Sequence, residues 1–313
     1  PTLALVNAIT FQNVTSIEDE FPKIRLWGTI GWIVSGLVVS ESMLGIFPLP
    51  LLPGIEDAGS TSFPLKLSAV VSIIYGLYSF TLPASPPQGR GEPISIVKIL
   101  GLDALQLFKN PSYAVFALCS FLICIPLAFY YARTYEFTSA MAFGDRTSGV
   151  MALGQVSEIG FMAAVPFFIK RLGVKKMLLV GMLAWAVRYG LFGMMPSSSA
   201  MLVLGIVLHG ICYDFFFVTG QIYVDTKADQ RIRGAAQGFI AFATLGVGSF
   251  IGAELSSVVQ QQTATPEGPL ALDWQTFWLI PAAGAGVVMI LFALLFNESK
   301  AVEQEAVEAA TTA

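Results

Sequence analysis

Eight stretches of this chain, 24–40, 65–82, 111–131, 147–169, 177–194, 200–224, 235–259 and 274–296, are each apolar and long enough to be read as a membrane-crossing helix. A bilayer core about 30 Å thick takes about 20 mostly apolar residues per helical span, and a helix pairs its own backbone groups where no water can. That repeated length fixes the class as an all-α, multi-pass membrane protein. Composition agrees, with 55% hydrophobic and only 12% charged residues, against about 25% charged in an ordinary soluble domain. Segment 1–10 reads as the tail of an earlier helix cut by the start of the chain. The stretch 43–64, rich in Pro, Leu and Gly and carrying Glu56 and Asp57, reads as an outer loop or short re-entrant piece.

Basic residues give the orientation. With the loop at 11–23 inside, the inner segments and span ends hold Lys23, Arg25, Arg90, Lys98, Lys109, Lys170, Arg171, Lys175, Lys176, Lys227, Arg231, Arg233 and Lys300, while the outer side holds Lys66, Arg133 and Arg146. This asymmetry satisfies the positive-inside rule and puts the tail from Ser299 in the cytoplasm. A net charge of -4 gives no hint of nucleic acid as a partner.

The longest inner connection, 83–110, opens with Pro83, Pro86 and Pro87, which stop the preceding helix. Ile96, Val97, Leu100 and Leu107 then recur at roughly helical spacing among Lys98, Asp103 and Lys109, as in a helix lying along the inner membrane face. The expected organisation is therefore a first part at 1–82, a cytoplasmic linker at 83–110, a six-span part at 111–300 and a tail at 301–313.

Three ionisable residues fall well inside spans: Glu158, Arg188 and Asp214. A central Asp or Arg costs about 2.5–3.5 kcal/mol on the insertion scale, so such residues usually face a wet cavity or a partner. Glu158 and Asp214 are candidates for carrying a proton, because a membrane carboxylate that changes neighbours between two conformations can bind and release one. Arg188 alternatively braces a carboxylate. Gln155 lies one turn before Glu158, His209 and Tyr213 share a face beside Asp214, and Arg25, Thr29 and Trp32 form a stripe on an earlier span. Amides, carboxylates and aromatic planes together suit a flat polar ligand, sugars included. The same residues also allow a plainer reading, with Trp32 and Tyr213 packing, Arg25 anchoring the inner face and His209 satisfied within the core.

Signatures of soluble enzymes are missing from the sequence: no P-loop, no G-x-S-x-G, no H-E-x-x-H and no zinc spacing. Neither cofactor nor metal is expected. Cys119, Cys124 and Cys212 sit in apolar windows as small core residues. Gly248 and Gly252 form a G-x-x-x-G, whose ordinary use in a membrane is close helix packing.

At a set of ordered stretches the sequence resembles the nucleoside:proton symporters of the major facilitator superfamily. They include 24–32, 100–104, 108–111, 155–161, 185–190, 213–216, 236–238 and 273–276. The resemblance implies a twelve-helix protein of two six-helix bundles, of which this chain would hold the end of helix 4 and helices 5 to 12. It implies that Arg25, Thr29, Trp32, Gln155, Glu158, His209, Tyr213 and Asp214 line a nucleoside site. It further implies Phe where Trp32 stands and Tyr where His209 stands in other members, and a Gln and an Asn at the positions of Ala128 and Tyr131. The expected function is proton-coupled nucleoside import by alternating access in a bacterial inner membrane, with Glu158 and Asp214 in proton coupling. The rival readings are a major facilitator for sugars or drugs and, in a different class, a membrane-embedded enzyme or receptor.

Overall fold

The computed structural model describes residues 2–39, 61–84, 102–266 and 268–297. The greater part of the 43–64 loop, residues Ile96, Val97, Lys98 and Leu100 of the linker, and the tail 301–313 lie outside these residues.

In chain order the helices are α1 (Thr2–Asn13), α2 (Ile17–Val39) and α3 (Phe63–Ser79), then a short 3-10 helix (Leu102–Lys109), then α4 (Pro111–Thr138) and α5 (Thr147–Met194). They continue with α6 (Ser199–Lys227), α7 (Arg233–Thr263) and finally α8 (Trp274–Leu295). All of α4 to α8 are long and apolar enough to cross a membrane. The described end of the linker, where a surface helix was expected, is the 3-10 segment.

Local sequence explains the helix starts. Pro111 opens α4 where its missing N–H costs nothing, and the Asn110 side chain accepts from the backbone N–H of Ser112 at 2.9 Å. Asp273 caps α8 in the same way, accepting from Thr276 N–H at 3.2 Å.

Spans 147–169 and 177–194, read from sequence as separate helices, are the two arms of α5, divided by a kink at Gly173. Its 48 residues would reach about 72 Å if straight, more than twice the bilayer core. The helix turns back at Gly173, whose φ of 72° only glycine adopts freely. A correction concerns α3, which stops at Ser79 rather than 82 and carries no buried residue. The outer connection near 260–271 is also more ordered than a loop. It contains an antiparallel pair, β1 (Ala264–Thr265) and β2 (Gly268–Leu272), with Ala264 opposite Leu272.

The core of α4 to α8 is largely aromatic. Tyr189 stacks on Trp278 at 5.8 Å and 13°, and Phe137 and Phe192 meet the same indole edge-on or tilted at 5.3 and 5.1 Å. Close approach of α7 to α4 depends on Gly252, where a Cβ would lie 2.5 Å from the carbonyl oxygen of Ile125. A second apolar cluster joins Phe11 and Phe21, at the α1–α2 turn, to Met162, Val165 and Ile169 of α5 and to Phe215, Val218 and Ile222 of α6. It ties the first two helices to the rest.

Replacing Gly173 with Ala forces an L side chain into the left-handed region, at a cost of about 1–2 kcal/mol. We expect the melting temperature in detergent to fall by about 2–8 °C, measured by thermal scanning of the variant beside the wild type.

Candidate functional site

The site is built where α2, α5 and α6 meet. Gly210 lets α6 approach α5 closely: a Cβ there would lie 2.7 Å from the carbonyl carbon and oxygen of Ser157, and the Gly210 N–H donates to Ser157 Oγ at 2.9 Å. The contact sets His209, the preceding residue, beside Glu158, the residue after Ser157. From there α6 changes register, with Asp214–Val218 forming a π turn, a deviation that frequently marks functional segments.

Glu158 is 6% exposed, and each of its carboxylate oxygens is engaged by a different element. Thr29 of α2 donates its hydroxyl to Oε2 at 3.1 Å, and His209 Nε2 lies 2.8 Å from Oε1. Behind His209, Arg188 Nη1 meets Nδ1 at 3.1 Å, and the guanidinium lies over the Tyr130 ring at 3.6 Å. The imidazole is stacked between Tyr130 and Tyr213, with both centroids at 5.6 Å. Arg25 of α2 donates to the Tyr213 hydroxyl at 3.4 Å. Asp214 is fully buried, and among the described residues neither of its carboxylate oxygens has a hydrogen-bond donor.

Arg25, Thr29, Glu158, His209 and Tyr213 are thus joined by direct contacts, and Asp214 adjoins them in the chain. Gln155 is half-buried one turn before Glu158. Trp32 does not join the cluster, because its indole is 66% exposed one turn beyond Thr29. Arg188 braces a histidine rather than a carboxylate. Glu158 and Asp214 are both buried, and a small cavity of ≈ 30 Å³ is lined in part by Asn7, Ser120, Gln221 and Gln237. Ala128 is buried under Gly252, whereas Tyr131 is 59% exposed. Sequence reasoning missed Tyr130. Its role depends on contacts with two other helices, which spacing along α4 does not encode.

Below the cluster, near the α1–α2 turn, Lys170 at the end of the first half of α5 meets Asp19 at 2.8 Å. The Arg233 side chain donates to the Phe11 carbonyl at 3.4 Å and lies 2.7 Å from Asp225. Hydrogen bonding from Lys170 holds the Asp19 carboxyl below its usual range, while burial pushes that of Glu18 up.

Compared with known families, residues 1–301 match the family described as Nucleoside H+ symporter. The chain belongs to the nucleoside H+ symporter family. YegT of Escherichia coli K12 is 42% identical over 306 residues, spanning 96% of this chain and 70% of YegT. Xanthosine permease of the same organism is 30% identical, across 93% of this chain and 70% of its own length. The crystal structure of the nucleoside transporter NupG matches with a TM-score of 0.66 and 30% identity, covering 96% of this chain and 74% of that one. Membership in the nucleoside H+ symporter family establishes a major facilitator fold and a multi-pass protein of the bacterial inner membrane, and it disfavours the sugar and drug readings.

Two outcomes follow for the site. Gly210→Val drives a branched side chain into the Ser157 backbone, and overpacking of this kind costs about 1–3 kcal/mol; we expect a lower melting temperature and weaker ligand binding, read by thermal scanning with and without nucleoside. The Asp19–Lys170 contact contributes in full above the ordinary carboxylate value of 3.8, and because the folded pKa is lowered, that stability is lost as pH falls from 3.8 through the folded value. The small melting-temperature gap between wild type and Asp19→Asn, present at pH 6, is expected to close as pH drops below 3.8, and to shrink in high salt, as for any exposed pair.

Proposed function

We propose that this chain contributes the nucleoside site and the proton-coupling carboxyls of an alternating-access importer, and that it acts as a carrier rather than an enzyme. In this reading 1–82 and 111–300 belong to two bundles that rock about a central site, linked by 83–110. The supporting observation is that Glu158 on α5 is held at once by Thr29 from α2 and by His209 from α6. If α2 moves with one bundle and α5 and α6 with the other, rocking removes the Thr29 hydrogen bond and changes the neighbours of the carboxylate. A carboxyl whose neighbours change between states takes up a proton in one and gives it up in the other.

An inward proton gains about 2.3 kcal/mol per 100 mV of membrane potential. That gain drives uptake when the state that binds substrate depends on protonation. Nucleosides suit the cluster chemically. Ribose hydroxyls and base N–H groups donate to Glu158 and to the Gln155 carbonyl, while Arg25 donates to base or sugar oxygens. Trp32, open to an arriving ring, and Tyr213 offer flat faces for stacking. Asp214, enclosed without a donor, is the second coupling carboxyl.

The test is uridine uptake against pH by the intact transporter in proteoliposomes. Asp214→Asn is expected to flatten the pH dependence. Glu158→Gln is expected to raise KM about 10- to 100-fold, the loss typical of a charged hydrogen bond. Unchanged pH dependence in both variants removes them from coupling. Adenosine should compete with uridine and hexoses should not; competition by hexoses overturns the nucleoside assignment.

A further inference from the structure

Arg188 is fully buried within the membrane-spanning part of the chain, yet among the described residues it forms no ion pair. A guanidinium can only donate hydrogen bonds. Its Nη1 lies 3.1 Å from His209 Nδ1, so Nδ1 has to present its lone pair, and the single hydrogen of a neutral ring then sits on Nε2. Nε2 is the atom 2.8 Å from Glu158 Oε1. A second hydrogen on Nδ1 would point directly at the guanidinium and break the contact.

Other groups around the ring leave this arrangement in place. Tyr130 from α4 and Tyr213 from α6 cover its two faces, at interplanar angles of 20° and 28°. Cys212 Sγ, 3.6 Å from Arg188 Nη1, turns to the His209 carbonyl at 3.2 Å. Thr29 from α2 holds the other oxygen of Glu158, and Asp214, next to Tyr213 in the chain, is buried with neither carboxylate oxygen hydrogen-bonded among the described residues. Nε and Nη2 of Arg188 meet no acceptor among the described residues, where the Tyr130 face adds to the compensation for its charge.

We propose that Arg188 is a positioning residue that locks His209 as the neutral Nε2–H tautomer, so that His209 aims one hydrogen at Glu158 and is not itself the proton carrier. Sequence reasoning placed His209 among substrate ligands; here its two nitrogens are already occupied, one by each neighbour. Glu158 keeps its remaining lone pairs for a ligand, in an orientation set by a chain of contacts that begins at Arg188. The kinetic part of this proposal rests on the transport reading above, whereas the tautomer does not.

The experiment is nitrogen NMR of the ¹⁵N-histidine-labelled intact transporter, with the His209 signal identified by its loss in His209→Gln. A single neutral Nε2–H tautomer is expected from pH 5 to 8 in the wild type and in Arg188→Lys, which still donates. Arg188→Gln, whose amide can also accept, is expected to give mixed tautomers or protonation within that window. In uptake assays Arg188→Gln should raise KM for uridine about tenfold with kcat little changed, and His209→Gln, which retains a donor near the Nε2 position, should preserve the shape of the pH profile. An Nδ1–H tautomer or protonation of the wild-type ring between pH 5 and 8 overturns the proposal, as does a flat pH profile in His209→Gln. If Arg188→Gln does not fold, the wild-type and Arg188→Lys spectra still decide it. Absence of uridine uptake by the wild type would count against the transport reading and leave the spectra to judge the tautomer.

Discussion

A carboxylate inside a bilayer has no bulk water to satisfy it, and the part of this protein around Glu158 is arranged to supply what water would. Thr29 covers one oxygen and His209 the other, at 3.1 and 2.8 Å. Three helices therefore have to arrive at one point within tenths of an ångström. The Gly210 and Ser157 contact brings two of them together. The apolar cluster around Phe11 and Phe21 presses the third, α2, against them. Loss of either support leaves a charge without partners in a medium of low polarity, where that is most expensive.

The charges in this region are linked through neutral intermediates rather than paired directly. Arg188 reaches Glu158 only through an imidazole, and Arg25 donates to the Tyr213 hydroxyl rather than to a carboxylate. A directly paired arginine and glutamate would compete with a polar ligand for the same oxygens. Separation by a ring keeps the carboxylate oriented and still available. Asp214 goes further and has no donor in this conformation.

Much of this architecture was legible in the amino-acid sequence because hydrocarbon imposes length and polarity so strictly. The windows that became α4 to α8 show it, as does the reading of Gly248 and Gly252 as packing residues, where Cβ atoms would lie 2.9 and 2.5 Å from α4 carbonyl oxygens. Glu158, Arg188 and Asp214 stood out because charge is so costly at that depth. Partners were not legible. That Arg188 meets a histidine depends on helix rotation and on the Gly210 approach, and Tyr130 enters through tertiary contacts alone. Trp32 shares a helical face with Thr29, but the stripe could not show where neighbouring helices stop; its indole stays exposed. Sequence separated the two arms of α5 but did not single out Gly173, whose φ of 72° marks the kink between them.

Asp19 and Thr29 lie on α2, and Lys170 and Glu158 on α5, so the same two helices are fastened twice. The fastenings are about 15 Å apart along α2 and about 18 Å apart along α5. Two such rivets forbid sliding, because any shift along the seam strains both together. Peeling remains possible, one rivet at a time, with the other as fulcrum. Since the outer rivet is exposed and ionic and the inner one buried, salt loosens the rim without touching the centre, which gives the seam a direction in which it comes apart.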